Sequence, residues 1–127
     1  MEQLTKILFV AAGGAFGAVV RYLVNISPLS RVFENFPFPT FFINVSGSFL
    51  IGFLLIVLTD KVTVSDNVRM MVLVGFLGAY TTFSTFEAET YGLLTQRFYA
   101  ASAAYVLMSV LLGFAGFLAG VWLGRNV

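Results

Sequence analysis

The sequence predicts an all-α membrane protein, a single domain over residues 1–127 made of four transmembrane helices. Three observations predict it. Apolar residues make up 59% of the 127 positions and charged residues only 10%, too little charge to cover the surface of a soluble domain of this size. The mean hydropathy is +0.94. A helix takes roughly 20 apolar residues to cross a bilayer, and four such stretches with short connections use nearly the whole chain, leaving nothing for a nucleotide-binding or regulatory module. The chain holds no cysteine and no histidine. That excludes disulfides, thiolate sites and imidazole metal sites and removes the commonest general base, so no enzymatic activity is expected. The expected surroundings are membrane lipid, with no nucleic-acid partner.

The first span is expected from about Leu4 to Asn25. Its apolar run is too long for the core of a signal peptide and lacks a cleavage pattern, so it reads as a retained helix. A loop from Ile26 to Phe38 follows, broken by Pro28, Asn35 and Pro37. The second span runs from about Pro39 to Leu58, with proline in the first turn, where its missing N–H costs nothing. The polar loop TDKVTVSDN leads to a third span from about Asn67 to Leu94. The fourth runs from about Tyr99 to Leu123, with Trp122 and Arg125 as interfacial anchors.

The third span differs from the others. Its middle, GFLGAYTTFSTFEAE, is a poor helix on intrinsic propensity. Two readings follow: a bent helix with glycine packing, or a helix broken at its centre, at Gly75 to Gly78, with freed carbonyls that hold a cation. Non-helical backbone at membrane depth survives only inside protein or beside a wet cavity.

Positive residues orient membrane proteins. Here Lys6, Lys61, Arg69 and Arg125 on one side face Arg21, Arg31 and Arg97 on the other. Four against three permits insertion in both orientations, and dual topology suggests an antiparallel homodimer. Four helices pack around their own side chains and leave little room for an aqueous path, whereas eight can hold one at an interface.

Polar groups recur at helical spacing. Gly13, Gly17 and Arg21 lie four apart, and Arg21 reads either as a snorkelling anchor or as an anion-attracting vestibule residue. Asn44, Ser48 and Gly52 form a stripe on the second span, where Asn44 makes either a helix–helix hydrogen bond or a contact to a permeating ion. Tyr105 and Ser109 are the polar members of a small-residue face on the fourth span. In the third, Phe76, Tyr80, Phe83 and Glu87 share a face. The apolar centres lack an obvious carboxylate or lysine and offer hydroxyls, an amide and aromatic rings. Hydroxyl and amide groups donate hydrogen bonds and ring edges carry positive quadrupole charge, a set suited to a small anion.

The stretch Gly75–Phe86, GFLGAYTTFSTF, closely resembles the signature of the Fluc (CrcB) fluoride channel family, and GGAFGAVVRY and the Asn44-Val-Ser-Gly segment extend the resemblance over the whole chain. The resemblance implies passive fluoride export through the bacterial inner membrane by an antiparallel dual-topology homodimer with two pores. It implies a structural sodium ion held by backbone carbonyls at Gly75 and Gly78. It implies pore aromatics at Tyr80 and Phe83, a pore asparagine at Asn44, and a polar track through Thr82, Ser84, Tyr105 and Ser109. Tyr80 departs from the phenylalanine or leucine usual at its position. The competing expectation is a small multidrug-resistance-type transporter of similar size and topology, which needs an embedded acid in the first span that this chain lacks.

Overall fold

A computed structural model describes all residues from Met1 to Val127 and contains helices, turns and loops. Four helical stretches are long and apolar enough to cross a membrane: Glu2–Arg31, Phe38–Lys61, Asp66–Thr95 and Tyr99–Asn126. Helix α1 (Glu2–Asn25) leads through a short 3-10 turn (Pro28–Arg31) and a loop whose Asn35 takes a left-handed φ of 60°. Helix α2 (Phe38–Ile56) follows and ends in a wide π-type turn, Val57–Lys61.

The third span is assembled from pieces. Helix α3 (Asp66–Met70) is capped by Ser65, whose side chain accepts from the Val68 amide. It runs into wide i→i+5 turns over Met71–Phe76 and a single turn of α4 (Leu77–Tyr80). Thr81 and Thr82 are extended, and α5 (Phe83–Thr95) then resumes. Gly75 and Gly78 both lie within helical turns, so the interruption falls after the glycine pair where it was expected. The physical reason lies in packing and capping. Gly75 is pinned against α1, where a Cβ would run into the Val10 carbonyl. The two threonines meanwhile supply the hydroxyls that finish one helix and start the next.

The turn after α5 is a Schellman closure: Phe98 N–H bonds to Leu93 O at 2.9 Å and Arg97 N–H to Leu94 O at 3.0 Å. Arg97 holds the left-handed position with φ 64°. Helix α6 (Tyr99–Asn126) then crosses back.

Glycines join the spans in two close pairs. Between α1 and the third span, Cβ atoms on Gly13 and Gly17 would overlap the carbonyls of Met71 and Phe76. Between α2 and α6, Cβ atoms on Gly52 and Gly120 would overlap the carbonyls of Phe117 and Phe49. In lipid there is little hydrophobic drive between helices, so such backbone contact supplies the dispersion energy that holds them. A small core of Ile43, Leu77 and Tyr80, flanked by Val20, Val24 and Leu50, joins the pairs. Only 16 of 127 residues are buried, and the outward rows of Leu, Val and Phe suit acyl chains. An ion-pair cluster ties the ends of the first pair: Lys6 reaches Asp66 at 2.9 Å, and Arg69 reaches the same carboxylate at 2.8 Å.

The packing separates two glycines that look alike in sequence. Gly120→Ala is expected to destabilise the protein by about 1–3 kcal/mol through overpacking. Gly92→Ala, whose Cβ meets nothing within 4 Å, is expected to leave stability unchanged or raise it by up to about 1 kcal/mol. Thermal unfolding in detergent, read by loss of the monodisperse peak, distinguishes the two.

Candidate functional site

The interruption in the third span leaves backbone groups without helical partners inside an apolar layer, where each would cost free energy. The sequence supplies local substitutes. The Thr81 amide and hydroxyl both donate to Leu77 O, at 3.1 and 2.9 Å, and close α4. Thr82 is the N-cap of α5, its hydroxyl accepting from the Thr85 amide at 3.2 Å.

The Thr82 backbone is held from outside the span. Its N–H donates to Asn44 Oδ1 at 2.8 Å, and Asn44 Nδ2 donates to its carbonyl at 3.0 Å. Both bonds require the same orientation of the side-chain amide, so the network fixes which atom is which. Asn44 thus pairs with Thr82 as a neighbouring strand would. The Thr82 amide is thereby diverted from the Gly78 carbonyl four residues earlier. Gly78 is exposed and faces open space.

The rest of the Asn44–Gly47 segment meets the same feature. Ser46 Oγ lies 2.9 Å from the Tyr80 hydroxyl and also donates to Ile43 O at 3.2 Å. A Cβ on Gly47 would strike the Thr81 methyl. One turn of α2 is therefore fitted to the three residues Tyr80, Thr81 and Thr82.

Beside this joint runs a groove of about 290 Å³. Asn44, Gly47 and Ser48 line it from α2, Thr81, Thr82, Phe83 and Phe86 from the third span, and Ser109 from α6. Phe83 is 72% exposed, and its ring sits 5.7 Å from that of Phe86. Phe86 in turn packs at 5.1 Å on Tyr105, which is fully buried. The Tyr105 hydroxyl and Ser109 Oγ, one turn apart on α6, are buried without a hydrogen-bond partner. Beyond Tyr105, Thr40 donates to Glu89 at 2.5 Å.

The structure brings Asn44, Thr82, Phe83 and Ser109 to one groove, with Tyr105 behind its Phe86 wall. Ser84 lies beside the Thr82 cap, its Oγ at 3.4 Å from the Thr82 hydroxyl. Arg21 lies on α1 away from the groove, with no ion pair or side-chain hydrogen bond. Tyr80 is not in the groove. It is buried, stacked at 5.9 Å on Phe76, with its hydroxyl turned to Ser46. The reason is the interruption itself. A continuous helix from residue 76 to 87 would carry Tyr80 and Phe83 on one face, and two extended residues between them rotate α5 relative to α4. Phe86 takes the inner place. Its signal was the three-residue spacing from Phe83 within the renewed helix.

The model of the family described as CrcB-like protein, Camphor Resistance (CrcB), matches residues 8–121. The chain belongs to the CrcB family. Among curated proteins, a CrcB relative from Roseiflexus sp. (strain RS-1), named fluoride-specific ion channel FluC, is 42% identical over 122 residues, 96% of this chain and 95% of its own. The protein of the same name from Hydrogenobaculum sp. (strain Y04AAS1) is 44% identical over 117 residues, 92% and 95% of the two chains. That from Rhizobium meliloti (strain 1021) is 43% identical over 122 residues, 96% and 98%. The match to the CrcB model spans the interrupted helix, the Asn44–Gly47 turn and the α6 hydroxyls together. These relatives are ion channels by name, and the family they share with this chain is one of channels rather than enzymes.

Asn44→Ala strands the Thr82 N–H and C=O and is expected to cost about 1–3 kcal/mol for each buried group left unpaired. Asn44→Asp keeps the acceptor but sets a carboxylate oxygen against the Thr82 carbonyl, so it is expected to destabilise as well. Thermal melts of the two variants against the parent protein check both; an unchanged Tm in Asn44→Ala would contradict the pairing.

Proposed function

We propose that this CrcB chain is a fluoride-selective channel that lets fluoride leave the bacterial cytoplasm passively across the inner membrane. The observation that carries the reading is a groove beside the interrupted span, lined by the hydroxyls of Thr82 and Ser109, the Asn44 amide and the rings of Phe83 and Phe86, in a chain whose curated relatives are named fluoride-specific channels. Hydroxyl and amide groups donate hydrogen bonds, and a dehydrated small anion is a strong acceptor for them. Fluoride is the smallest halide and the strongest hydrogen-bond acceptor among them. Ring edges of Phe83 and Phe86 supply a weaker positive field alongside, and the remaining Nδ2 proton of Asn44, not used on Thr82, is available to the groove. No fully charged side chain lines it, which fits passage rather than capture, since a conducting site must also release its ion.

The active unit in this proposal is an antiparallel homodimer. One chain leaves the groove open along its flank and Phe83 largely exposed, and a second copy would roof both. Arg21 serves the vestibule. A structural sodium would be held by backbone carbonyls at the interruption and would supply fixed positive charge there. Gly78 suits that role, because its carbonyl has lost the Thr82 amide and its face is open. Gly75 suits it less, since packing on α1 already accounts for a glycine there.

Purified protein in liposomes is expected to release fluoride and retain chloride. Tyr105→Phe and Ser109→Ala should each lower fluoride flux by about tenfold or more, the loss of one charge-assisted hydrogen bond. No fluoride release from well-folded protein would overturn the reading. Replacing sodium on both faces with a large organic cation should abolish flux, and full flux in its absence would remove sodium from the account.

A further inference from the structure

Tyr105 packs behind the groove wall at Phe86, and a second aromatic ring meets it from the first loop. The Tyr105 ring packs on two phenylalanines: Phe86, which lines the groove, at 5.1 Å, and Phe36 at 5.4 Å with the ring planes 79° apart. Phe36 belongs to the first loop, far from the third span in sequence. Past it is a second opening of about 280 Å³, bounded by Asn35, Phe36, Pro37, Glu89 and Gln96. Of the residues lining that opening, Phe36 is the one whose ring packs on Tyr105. Glu89, which accepts a hydrogen bond from Thr40, lines the opening as well.

The loop is built to hold that ring in place. Asn35 takes the left-handed conformation, which asparagine tolerates better than most residues. The Phe36 carbonyl accepts from the Phe38 amide at 2.8 Å in a tight turn. Edge contacts to Phe33 at 6.1 Å and Phe41 at 5.7 Å brace the ring. A loop ring seated this way between a buried, unpaired tyrosine and an open pocket is more than interfacial filling.

We propose that Phe36 is the mouth residue of the anion pathway, the ring an ion passes between Tyr105 and bulk solution. The assignment rests on the fluoride-channel reading above and adds to it a pathway residue outside the membrane-spanning motif. It also gives each chain a mouth at its first-loop end.

The absence of cysteine from the chain allows a direct test. Phe36→Cys protein in liposomes is treated with a membrane-impermeant, negatively charged methanethiosulfonate on both faces, and modification is verified by mass. Fluoride flux is expected to fall at least tenfold on modification. Val32→Cys, on the same loop and exposed but outside the opening, should be modified without loss of flux. Complete modification at residue 36 with unchanged flux overturns the proposal, as does equal block at residue 32. Absence of fluoride flux from the unsubstituted protein overturns the channel reading and this assignment with it. If Phe36→Cys does not fold, Phe36→Trp and Phe36→Leu carry the test: the larger indole should cut flux at least tenfold while leucine preserves it, and equal flux in both overturns the proposal.

Discussion

The two hydrogen bonds between Asn44 and the Thr82 backbone are the constraint on which the rest of the site depends. A helix that stops and restarts within a bilayer loses the i→i+4 bonds that make it tolerable there. Water supplies replacements at a protein surface, but not in lipid. Asn44 offers one donor and one acceptor in the geometry of a peptide group, and Thr82 uses both. With that exchange in place, Thr81 and Thr82 remain extended, α5 departs on a new face, and Phe83 and Phe86 turn toward the groove. The neighbours of Asn44 complete the joint, Ser46 against Tyr80 and Gly47 against Thr81. A four-residue segment of α2 is thus a template for three residues of another span.

The remainder of the fold keeps that template in register. The α2–α6 pair approaches closely through Gly52 and Gly120, which brings Ser109 to the groove and Tyr105 behind its Phe86 wall. The α1 pair does the same for the first half of the third span through Gly13 and Gly17. The junction core of Ile43, Leu77 and Tyr80 then fixes the relation between pairs. Seen this way, the unusual feature of Tyr80 is a structural one. Its ring fills the junction, and its hydroxyl lies at hydrogen-bond distance from Ser46. Small residues serve contact between helices, and Asn44, Ser46, Thr81 and Thr82 commit their polar side chains to the joint.

Much of this was legible in the sequence. Span number followed from apolar length, and the first-loop breakers Asn35 and Pro37 bound the turn that carries Phe36. The stripe containing Asn44 and the Tyr105–Ser109 pair followed from four-residue spacing, because α2 and α6 are regular enough for helical arithmetic. That arithmetic failed in the third span. Counting from Phe76 to Glu87 at one period joined Tyr80 to Phe83, while two extended residues separate them. The glycines drew attention to Gly75–Gly78 as the weak point on propensity grounds, yet Gly75 is stabilised by contact with α1, a tertiary effect that local propensity does not contain. Phe36 was beyond reach for the same reason. Its partner Tyr105 is distant in the chain, and a phenylalanine among many in an aromatic loop carries no pattern of its own.

The claim at the centre of the account is that Asn44 replaces the missing helical partner of Thr82. Amide hydrogen exchange on protein labelled with 15N-threonine tests it most directly. Thr63, in the exposed polar loop, serves as an internal reference in the same spectrum. The Thr82 amide should exchange at least about a hundredfold more slowly than that of Thr63, and Asn44→Ser should bring the two rates together while the helical Thr90 stays protected. A Thr82 amide that exchanges as fast as Thr63 in the parent protein, or that stays protected when Asn44 is replaced, would contradict the account.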